Sequence, residues 1–279
     1  MSDFIYDKVT QAILEELDRG VVPWRKTWKG SQDLPQNFIT RKPYRGVNLL
    51  LLGNIPRATP FFLSYKQVLE KGGHVKKGCK SHMVVFWKPR IMKAISEDDE
   101  DVINGFIFRY YRVFRLEDTS LYESYEPDTL LDFPEYSSVY DEYEDHPPMF
   151  HGSNDACYIT ETDAIYMPDP DDFESVEQYF ATQYHELVHS TGHPDRLARK
   201  CMDGQHELTK AEYSQEELVA EIGATFLCSH VGIEGDDIFH NATSYIDGWR
   251  KRISEDKKLV VIAAGSAQKA VDYILGKDE

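Results

Sequence analysis

Tyr184-His185-Glu186-Leu187-Val188-His189-Ser190-Thr191-Gly192-His193-Pro194 sets two imidazoles four positions apart, with a carboxylate directly after the first. Side chains four apart share one face of a helix, so His185 and His189 can converge on a single cation through nitrogen bonds of about 2.0–2.1 Å, the zinc distance. Glu186 is then close enough to take a proton from water at the metal. The segment must be helical for this to hold. Ser175 with Gln178 forms a capping-box signature ahead of it, Val176, Phe180, Leu187, Val188 and Thr191 recur at helical spacing, and Gly192 and Pro194 supply the stop. HExxH also arises by accident on surface helices, so the motif alone does not establish a metal site.

A partner helix lies downstream. Thr209 to Glu212 is a second capping-box signature, and Tyr213 to Cys228 continues from it until Gly232 ends the run. Leu218, Ile222 and Phe226 make a core stripe, while Glu217, Glu221, Ala224 and Cys228 share another face with small neighbours at Ala220 and Gly223. HExxH followed by a helical ExxxE resembles the gluzincin arrangement, which implies Glu217 as third ligand and Glu221 as the acid that orients a liganding histidine. Two alternatives stay open. Ser214 with Glu217 is also a capping box, which would make Glu221 the ligand, and metzincin spacing would put the last ligand at Asp195.

The chain is strongly acidic, with 31 Lys and Arg against 48 Asp and Glu. The charge is unevenly distributed. Residues 1–95 carry 17 basic residues against 7 acids and the remainder 14 against 41, an asymmetry typical of nucleic-acid or membrane contact by the basic part. Cys79, Cys157, Cys201 and Cys228 lack CxxC or framework spacing and read as free thiols of a reducing compartment. The start has no signal-peptide pattern, and the longest apolar run, Leu49 to Leu52, is far short of the roughly 18 residues a membrane span needs. A soluble, cytoplasmic protein with no membrane partner is expected.

In the basic part, an amphipathic helix over residues 3–19 ends at Gly20 and leads to Trp24-Arg25-Lys26-Thr27-Trp28-Lys29. Indoles interleaved with cations suit single-stranded nucleic acid, the rings stacking on bases and the cations holding phosphates, although one of the two tryptophans is expected to pack on the first helix instead. Similar chemistry recurs at Tyr44 and Arg45, at Lys76 and Lys77, and at Trp87 and Lys88 on a strand. That strand, Met83 to Lys88, is expected to pair with a second at Phe106 to Phe114. From Glu117 to Pro148 the composition turns to Asp, Glu, Tyr and Pro, marking a connector that could wrap the body or lie over the basic groove. Two short strands at 156–160 and 164–168 precede the HExxH helix, where an extended substrate could pair with an edge strand. Helices at 242–253 and 261–275 close the core. The fold class expected is α+β, with residues 1–120 a mixed α/β single-stranded-DNA-binding domain, 121–149 an acidic connector and 150–279 a helix-rich zincin-like domain.

Together, Val22-Pro23-Trp24-Arg25, Lys42 to Asn48, Val84 to Lys88, His185 to His193 with Arg196-Leu197, and Glu216 to Glu221 resemble the ArdC-type antirestriction proteins of plasmids and phages nearly end to end. The resemblance implies an N-terminal domain binding single-stranded DNA, a C-terminal zincin-like metallopeptidase and a role in protecting mobile DNA from host restriction. It makes Zn2+ the expected cofactor, with Mn2+ or another divalent ion an alternative, and a component of a host restriction system a candidate protein substrate. Departures lie at Arg115 to Asp118, at Ser190, where the family has tryptophan, and in the long acidic insert. Two other readings compete: a DNA-binding protective protein whose metal site is structural or silent, and a toxin-like peptidase delivered to a recipient cell.

Overall fold

The computed structural model describes residues 2–25, 34–92, 102–125, 134–202, 209–233 and 243–277. Helix α1 (Ser2–Asp18) ends at Gly20, whose φ of 76° is left-handed backbone that glycine adopts without steric cost. The chain then forms β1 (Gln36–Asn37), α2 (Val47–Gly53), β2 (Phe61–Ser64), α3 (Tyr65–Glu70), β3 (His82–Met92) and β4 (Val102–Arg115). The strands form a sheet of order β1-β2-β4-β3, with β1 and β2 parallel and the long β3–β4 pair antiparallel, Val84 facing Tyr111 and Trp87 facing Phe108. Alternation gives each face its own set of residues. Tyr110 and Phe108 on one face meet Phe4 and Tyr6 of α1, with ring centroids 6.2 and 5.0 Å apart.

The second half contains α4 (Ser138–Asp141), β5 (Met149–His151), β6 (Cys157–Ile159), β7 (Ala164–Met167), α5 (Val176–Ser190), α6 (Lys210–Val231), α7 (Thr243–Glu255) and α8 (Leu259–Ile274). Its sheet has the order β5-β7-β6, leaving β6 as an edge strand. Both helices that carry the candidate ligands start as the sequence predicts. The Ser175 hydroxyl accepts from the Gln178 amide at 3.1 Å, and Thr209 with Glu212 forms a complete capping box. Gly232, at φ 78°, closes α6.

Helices α5 and α6 cross closely where Gly223 faces Val188. A Cβ on Gly223 would lie 2.7 Å from Val188 Cγ2, so glycine is what lets the two ligand-bearing helices approach. One core joins the two halves. Ile5, Val9, Ile13, Trp24, Leu49 and Leu50 pack with Leu187, Leu218, Ile222, Ala264 and Val271. The acidic tract is not a loose connector throughout: within its described part, Val139 and Tyr143 are 1% exposed and sit in that core. The apolar members of the tract outweigh its charge, and residues 134–148 wrap the body, with Tyr184 donating to Tyr136 O at 2.7 Å and Tyr273 to Asp145 at 2.6 Å. Among the described residues no helix is long and apolar enough to cross a membrane.

Candidate metal centre

On α5, His185 and His189 are one turn apart, and their Nε2 atoms approach to 3.1 Å. Helix α6 brings in Glu217, whose carboxylate oxygens lie 3.6 Å from His185 Nε2 and 3.7 Å from His189 Nε2. These three residues offer donor atoms all within 4.8 Å of one another, and among the described residues they are the group that could hold a metal ion. The donor set fits a tetrahedral ion, for which bonds of about 2.0–2.1 Å imply donor separations of about 3.4 Å. Two nitrogens 3.1 Å apart, each facing a different Glu217 oxygen at 3.6–3.7 Å, lie close to that edge and leave a fourth position for water or substrate.

The acid bonded to a histidine of this group is Glu216, where the sequence leads one to expect Glu221. His189 Nδ1 lies 3.2 Å from Glu216 Oε1, so the ring donates there and keeps Nε2 for the ion. Arg199 grips both oxygens of Glu216 at 2.6 and 2.9 Å and also donates to Val188 O and Thr191 Oγ1 at the end of α5. Burial would raise the Glu216 pKa, but the hydrogen bonds and charges of His189 and Arg199 outweigh it and hold the carboxyl at about 2. Burial likewise pulls His189 down, yet the bond to Glu216 and the charges of Glu186, Glu216 and Glu217 leave it raised. Glu217 is desolvated too, and the bond and charge of His185 with the charge of His189 bring it below the ordinary value.

Glu221 has a different set of partners. Its Oε2 accepts from Trp24 Nε1 at 2.9 Å and from the Tyr245 hydroxyl, and Arg25 Nε stands 4.0 Å away. One turn of helix separates it from Glu217 and points it at the N-terminal segment instead of the histidines. Asp195 is also excluded as a ligand: its side chain is 91% exposed and stands 3.7 Å from His193 Nδ1.

Glu186 is 6% exposed and accepts the Tyr158 backbone N–H at 2.7 Å, which couples it to edge strand β6. That strand is itself anchored. Tyr158 Oη donates to Asp163 at 2.8 Å, and Arg196 holds both Asp163 oxygens at 2.8 and 2.9 Å while donating to Ser190 O at the end of α5. Asp163 therefore acts as a turn residue, with a φ of 45° that aspartate tolerates, and Arg196 ties the edge strand to the metal helix.

The residues expected on a nucleic-acid surface divide. Trp24 is fully buried, edge-on to Trp249 at 5.9 Å, and its carbonyl accepts from Thr225, so it offers no stacking face. Arg25 lies 3.7 Å above the Tyr245 ring with its side chain 11% exposed, packed inside the protein instead of facing phosphates. Both corrections have one cause: the VPWR segment plugs the gap between α6 and α7. Lys26 and Trp28 lie outside the described residues. Tyr44 is half-buried edge-on to Phe62, and desolvation pushes its hydroxyl up to about 12. Arg45 pairs with the buried Asp272 of α8, while the neighbouring Gly46 amide donates to Gln268 at 3.0 Å, so this basic turn also ties the halves together. Lys76 donates to Glu117 O at 3.2 Å and Lys77 is exposed. Trp87 is 47% exposed, beside Phe86 at 45%, and Lys88 follows it on β3 opposite Ile107. Residue-type patterns did not single out Phe86, Tyr110 or Tyr111, whose exposure depends on which face of the hairpin α1 covers.

Residues 3–114 match the N-terminal domain of anti-restriction factor ArdC, and residues 145–266 match a zincin-like metallopeptidase domain. The chain is 30% identical over 98% of its length to a DNA primase TraC of Escherichia coli, and 29% identical to a second, but spans only 27% and 20% of those proteins. Protein y4eC of Sinorhizobium fredii is 27% identical over 97% of the chain and 91% of its own length. Crystal structures of the antirestriction protein ArdC from plasmid R388 superpose with TM-scores of 0.74 for the metal-free form and 0.70 for the Mn(II)-bound form. Both are 27% identical to this chain, covering 98% and 97% of it and 99% and 97% of the ArdC chains. With both domain types present in order and the whole chain superposing on ArdC, the chain belongs to the ArdC-type antirestriction family.

Proposed function

We propose that this chain is an antirestriction protein whose C-terminal half, about residues 150–279, is a metal-dependent peptidase and whose N-terminal half, about residues 1–120, binds single-stranded DNA. The convergence of His185, His189 and Glu217, with Glu186 fixed beside them, carries the peptidase reading. A divalent ion held there, Zn2+ or Mn2+, supplies Lewis acidity, lowering the pKa of water and polarising a peptide carbonyl. Glu186 is the general base. With Oε2 held by the Tyr158 amide, it presents its other oxygen to water, takes the proton and later delivers it to the leaving amine. Glu216 keeps the His189 ring in the tautomer and orientation that ligation needs. Edge strand β6 runs beside Glu186, which takes the Tyr158 amide, and an extended protein substrate can lie along this edge of the sheet.

The DNA reading is supported by exposed aromatic and basic groups on the β3–β4 hairpin and the loop before it. Phe86 and Tyr111 offer ring faces beside Arg109 on one side of the hairpin, Trp87 stands with Arg112 on the other, and Lys77 is exposed in the loop before it. Incoming DNA would be held on this half while a host restriction component is the protein partner of the other.

Glu186→Gln separates a working peptidase from a silent metal site. Elemental analysis should find the same metal in both proteins, whereas cleavage of fluorescently quenched casein should drop about 10³-fold in the variant, within the range general bases contribute. Equal cleavage by the two proteins would contradict the proposed chemistry.

A further inference from the structure

We infer that Arg199 is a positioning residue of this centre: its guanidinium fixes the Glu216 carboxylate and, through it, the His189 ring that a cation would meet. The inference rests on the reading of His185, His189 and Glu217 as a cation site and needs no peptide hydrolysis. The guanidinium spans the two helices that carry the ligands. Towards α6 it forms a fork, Nε donating to Glu216 Oε2 at 2.9 Å and Nη2 to Glu216 Oε1 at 2.6 Å. Towards α5 it donates from Nη1 to Thr191 Oγ1 at 2.7 Å and from Nη2 to Val188 O at 2.8 Å, at the end of the helix where carbonyls lack partners of their own. Glu216 Oε1, held by this fork, is the oxygen that lies 3.2 Å from His189 Nδ1.

The surroundings keep the guanidinium in place. The Arg199 side chain is 12% exposed and that of Glu216 3%, so little water competes for the fork, and a two-pronged arginine–carboxylate pair sets the plane of the carboxylate as well as its distance. Gly192 supplies the space: a Cβ there would lie 2.9 Å from Arg199 Nη2 and 2.7 Å from Met202 Cγ. Ala198, directly before Arg199, has a φ of 47°, left-handed backbone that a residue with a Cβ seldom adopts, and the Arg199 amide closes the turn on Gly192 O at 3.1 Å. The other arginine of this turn, Arg196, is committed to Asp163, whereas Arg199 reaches Glu216. A lysine replaces the charge but not the fork, since one ammonium does not hold both carboxylate oxygens together with Val188 O and Thr191 Oγ1.

The test titrates Mn2+ calorimetrically into the full chain as wild type, Arg199→Met, Arg199→Lys, Glu216→Gln and the double variant Arg199→Met with Glu216→Gln, each checked for folding by circular dichroism. The expected result is a loss of Mn2+ affinity of about 10–100-fold in Arg199→Met and about tenfold in Arg199→Lys, as removal of the groups behind metal ligands produces. The double variant should bind within about threefold of Glu216→Gln alone, because Arg199 acts through that acid. If Arg199 merely held the end of α5, the two losses would multiply, and that result overturns the assignment. So does wild-type affinity in Arg199→Met or, should that variant not fold, in Arg199→Lys. Wild type that binds no Mn2+ sinks the cation site itself and this inference with it.

Discussion

Trp24 and Trp87 stand in the same basic half, each followed by a cation in sequence, and have opposite fates. Trp24 is fully enclosed and bonded to Glu221 and Tyr245, with Arg25 packed over Tyr245; Trp87 leaves 47% of its surface to solvent on an open hairpin. An aromatic residue beside a cation thus describes both a stacking platform and a cemented core. What decides between them is the partner across the chain. Glu221 and Thr225 on α6, some two hundred residues away, capture Trp24, whereas Trp87 leans on Phe108 across the hairpin, ring centroids 5.0 Å apart, and keeps its other side open to solvent.

The sharpest way to break this comparison is to exchange the expected losses. Trp24→Ala should destabilise the protein by about 3–5 kcal/mol, as buried aromatic truncations do, visible as a lower urea midpoint. Trp87→Ala should leave the midpoint nearly in place and weaken binding of a labelled oligothymidylate by roughly 1–3 kcal/mol, the value of one stacked base. Loss of oligonucleotide binding by a stably folded Trp24→Ala, with Trp87→Ala unaffected, would reverse the roles assigned here.

The metal half has its own buried lynchpin in Glu216. Its carboxyl is depressed to about 2 in the folded protein, so its contribution is fully present above the ordinary glutamate pKa and is lost as pH falls through the folded value. Glu216→Gln should therefore cost about 3 kcal/mol at pH 7 in the metal-free protein, and the gap to wild type should close between about pH 4.5 and pH 2. A gap independent of pH in chemical denaturation would show that charge is not what Glu216 contributes. Asp118 and Asp163, both depressed by arginine partners that outweigh their burial, steepen the same acid limb.

A smaller effect is expected from Gly223→Ala. The new methyl meets the stiff Val188 side chain, at a cost of roughly 1–3 kcal/mol for overpacking, less up to about 1 kcal/mol regained in helix propensity. Because the strain falls between α5 and α6, metal affinity should fall with it. Unaltered metal binding would mean that the helix approach does not set the ligand geometry.

The parts of this molecule legible in the sequence are those fixed by neighbours along the chain. Caps at Ser175, Thr209 and Gly232, the four-residue spacing of His185 and His189, and the alternation of β3 and β4 each depend on a few adjacent residues, and α5, α6 and the hairpin form accordingly. Glu216 and Glu221 belong to one acidic run, and spacing along the helix does not say which of them meets a histidine. Only the positions of Arg199 and Trp24 in space assign one to His189 and the other to the N-terminal segment. The acidic tract is hard to read for a related reason: its composition is that of a linker, but Val139 and Tyr143 are buried in the core and Tyr136 and Asp145 are bonded to the body. Strands β1 and β5, two and three residues long, are too short to carry a periodic signal.

The central claim is that one acid of α6, and a specified one, completes a cation site with the two histidines of α5. Calorimetric titration of Mn2+ into wild type, Glu217→Ala and Glu221→Ala measures this directly. The structure predicts that Glu217→Ala loses at least a hundredfold in affinity, on the order of 3 kcal/mol, while folded Glu221→Ala stays within about threefold of wild type. Retained affinity in Glu217→Ala, with loss in Glu221→Ala, would contradict it.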